Sequence, residues 1–164
     1  MSSFTYRIWI KASPEQIWAA LFDPEQNGDY AYHASTHFDL QPGGAIVTHA
    51  NEGMRQAGMP EVIVDGEVLE VDEPTHIKYT WHSYFDEGLA AEPPTPVTID
   101  LAPGHPMMFP DGGVTQVTLT HDTEGAPLAA RIVSGEDADA GGGHAYILSD
   151  LKSKLETGSS FHGR

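Results

Sequence analysis

The chain contains no cysteine, which removes disulfides, thiolate metal ligands and a cysteine nucleophile together. Basic residues are scarce: eight Lys and Arg stand against 24 Asp and Glu, for a formal charge of −16. Lys11, Lys78, Lys152, Lys154, Arg7, Arg55, Arg131 and Arg164 are scattered and form no basic stripe. Phosphate backbones and anionic membrane surfaces would be repelled, so nucleic acid is excluded as a partner. No run approaches the roughly 18 apolar residues of a membrane span, so no membrane insertion is expected. The opening MSSFTYRIWIK lacks the basic, apolar and small-residue order of a secretory signal, and the expected location is cytoplasmic. There is no G-x-S-x-G elbow, no phosphate-cradling glycine loop and no His-Glu-x-x-His. The segment DADAGGG offers two carboxylates only, too few for a calcium loop. No catalytic residue is assigned, and neither a cofactor nor a metal ion is expected.

What is present is a well-punctuated order of elements. At 164 residues the chain suits one domain that buries roughly 70% of its unfolded surface. FTYRIWIK alternates, with Phe4, Tyr6, Ile8 and Ile10 on one face and Thr5, Arg7, Trp9 and Lys11 on the other, as in a strand with one buried face. A short helix follows, with Ser13 as N-cap, Pro14 at its first position and Gln16 completing a capping box. Ile17, Trp18, Leu21 and Phe22 share its apolar side, and Asp23 before Pro24 ends it. A second helical turn is expected within 24–33. From Thr36 to His121, six strands alternate with turn residues, which predicts an antiparallel meander.

AYILSDLKSKLETG then places Ile147, Leu148, Leu151 and Leu155 on one stripe, with Lys152 and Lys154 near the end and Gly158 as the stop. This predicts a long terminal helix beginning near Glu136, with Gly141, Gly142 and Gly143 weakening its first part, so that a kink or a later start is the alternative. An antiparallel sheet must bury one face, and this helix is the element long enough to cover it. The expected class is α+β: a curved seven-stranded antiparallel sheet around a long C-terminal helix, with two short helices after the first strand.

Six segments in order carry a resemblance over nearly the whole chain: IKASPEQIWAALFDPE (Ile10 to Glu25), DLQPGG (Asp39 to Gly44), DGEVLEVDEPTHIKYTW (Asp65 to Trp81), VTIDLAPG (Val97 to Gly104), VTLTHD (Val117 to Asp122) and ILSDLKSKLETG (Ile147 to Gly158). Together they resemble the START-related, or SRPBCC, superfamily with its helix-grip fold. The similar branch is the one named after the C-terminal domain of the activator of the ninety-kilodalton heat-shock-protein ATPase. The resemblance implies one helix-grip domain over 1–158, with 159–164 as a tail. It also implies a hydrophobic cavity between sheet and helix, used in different members for lipids, polyketides, hormones or other apolar small molecules. Tyr30 and the pair Gly143 and His144 stand where relatives often carry tryptophan. The segments 51–60, 86–96 and 104–112 are elaborated and become candidates to cap the cavity mouth.

The cavity candidates are Tyr79, Trp81, Val117, Leu119 and His121 on strands, with Tyr30, Phe38, Met108, Phe109, His144, Ile147 and Leu151 around them. His121 shares a face with Val117 and Leu119. It reads either as a hydrogen-bonded core histidine or as a polar anchor within an apolar pocket. Tyr79 and Trp81 are core packing or pocket wall; Met107, Met108 and Phe109 are a small satellite cluster or an adaptable lid. His33 and His37 have helical spacing, but strand two should begin beside them, so no joint ligand role follows. The leading functional expectation is binding of an apolar small molecule that is lipid-like, polyketide-like or polycyclic. A co-chaperone-like interaction module with a protein partner, or a homodimer, stands as the alternative. A cyclase or dehydratase acting in the same cavity stands as a third.

Overall fold

The computed structural model describes residues 2–162; Met1 and the last two residues of the 159–164 tail lie outside the described residues. In β1 (Ser3–Ile10), exposed and more buried positions alternate as the sequence pattern requires, and Ile10 is sealed at its end. The helix α1 (Pro14–Phe22) follows directly. Ser13 Oγ accepts the Gln16 N–H at 3.1 Å while Gln16 Oε1 accepts the Ser13 N–H at 2.9 Å, so two otherwise orphaned donors are satisfied. Ile17, Trp18, Ala20 and Phe22 are buried. Asp23 is extended, as expected before proline, and its carboxylate caps α2 (Pro24–Asn27) through the Glu25 N–H at 2.9 Å. Ser13→Ala should therefore reduce stability by about 1 kcal/mol. An unchanged urea midpoint would mean that packing alone sets where the helix starts.

The remaining elements are β2 (Thr36–Phe38), β3 (Ala45–His49), α3 (Glu52–Gln56), β4 (Val62–Asp72), β5 (His76–Ser83), α4 (Glu87–Ala91), β6 (Thr95–Pro103), β7 (Thr115–Asp122), α5 (Pro127–Val133) and α6 (Gly143–Thr157). The strands form one antiparallel sheet in the order β1-β7-β6-β5-β4-β3-β2. Register shifts at Thr48/His49 and Val68/Glu70 bend it. Its concave face joins Val68, Ile77, Val97, Ile99, Val117 and Leu119 to Ile17 and Phe22 of α1 and to Leu148 and Leu151 of α6 in one core. Polar contacts fix the end of α6 against β1: Lys152 Nζ donates to the Trp9 carbonyl at 2.7 Å, and the Lys11 N–H donates to Glu156 at 2.8 Å.

Two expectations are corrected. The terminal helix starts at Gly143, not near Glu136, because Gly135, Gly141 and Gly143 adopt φ of +79°, +91° and +66°. Those values interrupt a right-handed helix, and residues 134–142 form turns with a 3-10 turn at Ala138–Ala140. The helix α5, which begins at Pro127, was not anticipated. Beyond Gly158 the chain turns back: Ser160 is buried, and the Phe161 N–H donates to the buried Asp150 carboxylate at 2.6 Å. The other oxygen of that carboxylate accepts the Ala31 N–H at 2.7 Å.

Candidate functional site on the concave face

The alternation of β5 puts Ile77, Tyr79 and Trp81 on the face that meets the helices. Tyr79 pairs with Val68 on one side and Val97 on the other, at the middle strand of seven. Desolvation pushes its phenol above the usual tyrosine range, yet the side chain remains only half-buried. Its hydroxyl has no hydrogen-bond partner among the described residues. Trp81 is also half-buried and touches three apolar groups at once. Met54 and Met59 approach from the α3 segment, Leu89 from α4, and Ala129 and Ile132 from α5.

Beside Trp81 lies a polar chain in apolar surroundings. His121 is fully buried and His144 is 8% exposed. His121 Nδ1 and His144 Nε2 are 2.9 Å apart, and His121 Nε2 lies 2.7 Å from Thr95 Oγ1. Thr95 in turn donates to the Trp81 carbonyl at 3.2 Å. The indole of Trp81 meets His121 edge-on at 5.5 Å, and Tyr6 meets His144 in the same manner at 5.9 Å. Burial pushes His121 down to about 4; burial and the neighbouring His121 push His144 down to about 3. Both rings are therefore neutral at physiological pH. A link of this kind joins β7, β6 and the first turn of α6 without any charge.

The other sequence candidates divide into three groups. Val117, Leu119 and Leu151 are buried core, and Ile147 is half-buried beside them. Tyr30 is buried and donates to the Ala20 carbonyl at 3.0 Å, while Phe38 meets Tyr79 edge-on at 5.8 Å. Met108 and Phe109 are not brought to the site, which corrects their placement among the cavity residues. They lie in the β6–β7 connection, beyond Thr115, and six residues of strand put that end about 20 Å from His121. Met107 and Met108 are 88% and 64% exposed there. Of the three elaborated segments, 51–60 supplies Met54 and Met59 to the apolar group of Ala50, Ile63 and Val64 that Trp81 also packs against, 86–96 supplies Leu89 to a second such group, and 104–112 contributes to neither. His37 is exposed on β2, and His33 sits in a turn at φ +54°, so their helical spacing has no structural counterpart. Among the described residues no group of three or more His, Cys, Asp or Glu is arranged to hold a metal ion. Thr95 escaped the sequence reading because it fell in the elaborated segment 86–96; the one available signal was the alternation that continues into Val97 and Ile99.

A curved seven-stranded sheet gripping a C-terminal helix defines the helix-grip class. The chain belongs to the family described as activator of Hsp90 ATPase homolog 1-like protein, whose profile matches residues 11–156. Among curated proteins, none gives a significant match. Solved structures share the fold at low identity. The Aha1 dimer from Colwellia psychrerythraea is 20% identical, with 98% of this chain and 100% of that chain covered and a TM-score of 0.65. CalU16 from Micromonospora echinospora is 18% identical, covering 98% and 78%, with a TM-score of 0.63. An HSP90 activator from Plasmodium falciparum is 19% identical, covering 84% and 89%, with a TM-score of 0.58. Among the described residues no helix is long and apolar enough to cross a membrane.

Proposed function

We propose that this protein binds one apolar small molecule against the concave face of its sheet, between Tyr79, Trp81 and the first turns of α6. The observation that carries this reading is the incomplete covering of Tyr79 at the centre of the sheet, next to a neutral, buried His121–His144 pair. Apolar walls with a few placed polar groups are what recognition of a small molecule requires. Leu89 of α4 and Ala129 of α5 pack with Trp81 at that end of the sheet, and the bound molecule enters as those short elements part. A protein partner is a second reading, favoured by the adjacent exposed Met107 and Met108 at the far hairpin. The net charge of −16 would select a basic partner there.

N-phenyl-1-naphthylamine, an environment-sensitive neutral probe, should bind one site per chain and be displaced by long-chain or polycyclic molecules. Trp81→Ala should change its affinity by about tenfold, whereas Trp9→Ala, on the solvent face of β1, should leave it unchanged. Absence of saturable binding, or equal effects of both substitutions, would refute the small-molecule reading. Native mass spectrometry of protein from its own host separates the two readings: a retained small apolar mass favours the first, a stoichiometric basic protein the second.

A further inference from the structure

The hydrogen bonds around His121 can run in only one direction. The Trp81 carbonyl has no proton, so its bond to Thr95 uses the single proton of the Thr95 hydroxyl. Thr95 Oγ1 must then accept from His121, whose neutral ring carries its proton on Nε2 and presents a lone pair at Nδ1. His144 must donate to that lone pair from Nε2. A neutral His144 consequently holds a lone pair at Nδ1, and this atom has no partner among the described residues. The chain of four groups ends at the start of α6 in an acceptor that has no protein partner among the described residues, on a side chain that keeps 8% of its surface accessible. Every internal member is satisfied, so no member can reverse without breaking the bond to the carbonyl.

We propose that His144 Nδ1 is the polar anchor of the ligand site and accepts a hydrogen bond, so the ligand presents a hydroxyl or N–H donor on an apolar body. This rests on the small-molecule reading and narrows it to a class: phenols, alcohols or N–H heterocycles bind, and ethers or carboxylates of the same shape do not. A carboxylate would bring charge to a lone pair with no cation beside it; an ether would leave His144 Nδ1 unpaired. The arrangement selects by proton direction, a property that apolar walls alone do not supply.

The test uses 2-naphthol, 2-methoxynaphthalene and 2-naphthoate with the whole protein at neutral pH, followed by calorimetry. The naphthol should bind at least about tenfold more tightly than the methoxy compound, the worth of one buried hydrogen bond. In His144→Phe the ratio should fall to near one. Because that variant can lose stability, long-range proton–nitrogen spectra of the unsubstituted protein give an independent readout. Both rings should appear as neutral Nε2–H tautomers, and the His144 Nδ1 resonance should move when 2-naphthol is added. Equal affinity for naphthol and methoxynaphthalene, or a proton on His144 Nδ1, overturns the anchor while leaving apolar binding in place. Binding of none of the three overturns the small-molecule reading itself.

Discussion

Leu151→Ala should destabilise the fold by about 2–5 kcal/mol and lower the melting temperature by roughly 10 °C for a chain of this size. Leu151 is fully buried on α6, and Leu148 beside it is nearly so; together they join the helix to the concave face of the sheet. Removing three carbons there leaves a cavity that the bent sheet, fixed by seven paired strands, cannot fill by collapse. Leu155 lies on the same stripe but is only partly buried, so Leu155→Ala should cost well under half as much. Thermal melts of the two variants side by side check the ordering. Equal and small effects would mean that α6 is held by its polar contacts to β1 instead.

Local signals were legible wherever one short stretch contained its own start and stop. Ser13, Gln16 and Pro24 delimit α1 through bonds and backbone restrictions acting within a few residues, and the same features appear in the structure. Strand alternation placed Tyr79, Trp81 and His121 on the buried side for the same reason: the period of two is a property of the strand itself. The start of α6 was misjudged because the pattern of apolar residues does not reveal that Gly135, Gly141 and Gly143 take positive φ. The site suffered most from non-local geometry. His121 and His144 are 23 residues apart, and only the register of β7 against α6 brings their ring nitrogens to 2.9 Å. Thr95 joins them from a third element, and nothing local in its proline-rich surroundings announces a hydrogen bond to a histidine 26 residues away. Met108 and Phe109 show the converse: an apolar, proline-bounded loop has no local mark that says which end of a sheet it will occupy.

Acidification from about pH 7.5 to about pH 5 should cost roughly 4 kcal/mol through His121 and His144 together. Both groups titrate lower in the folded protein, at about 4 and about 3, than the ordinary histidine value of 6.5. Above 6.5 neither state is protonated and the pair contributes no pH dependence. Below 6.5 the unfolded chain takes up protons that the native rings refuse, so stability falls as pH falls, and the loss is complete only below the folded values. At pH 5 each ring contributes about 2 kcal/mol of that loss, at about 1.4 kcal/mol per pH unit. A typical domain has only about 5–15 kcal/mol in total. His76 acts in the opposite sense: its contacts with Asp100 at 2.6 Å and Glu70 at 2.9 Å raise it, so its support is full below 6.5 and lost as pH rises through its folded value. That ion pair is near the surface and its share is small. Relief of repulsion among the acidic residues also favours the fold on acidification, so the informative quantity is the difference between proteins. A His121→Phe, His144→Leu double variant removes the titrating pair while keeping apolar volume, and its denaturation midpoint should fall much less than that of the unsubstituted protein over the same range. Parallel pH profiles for the two would show that the pair is already charged or hydrated in the folded state, and the neutral chain from Thr95 to His144 would then have to be abandoned.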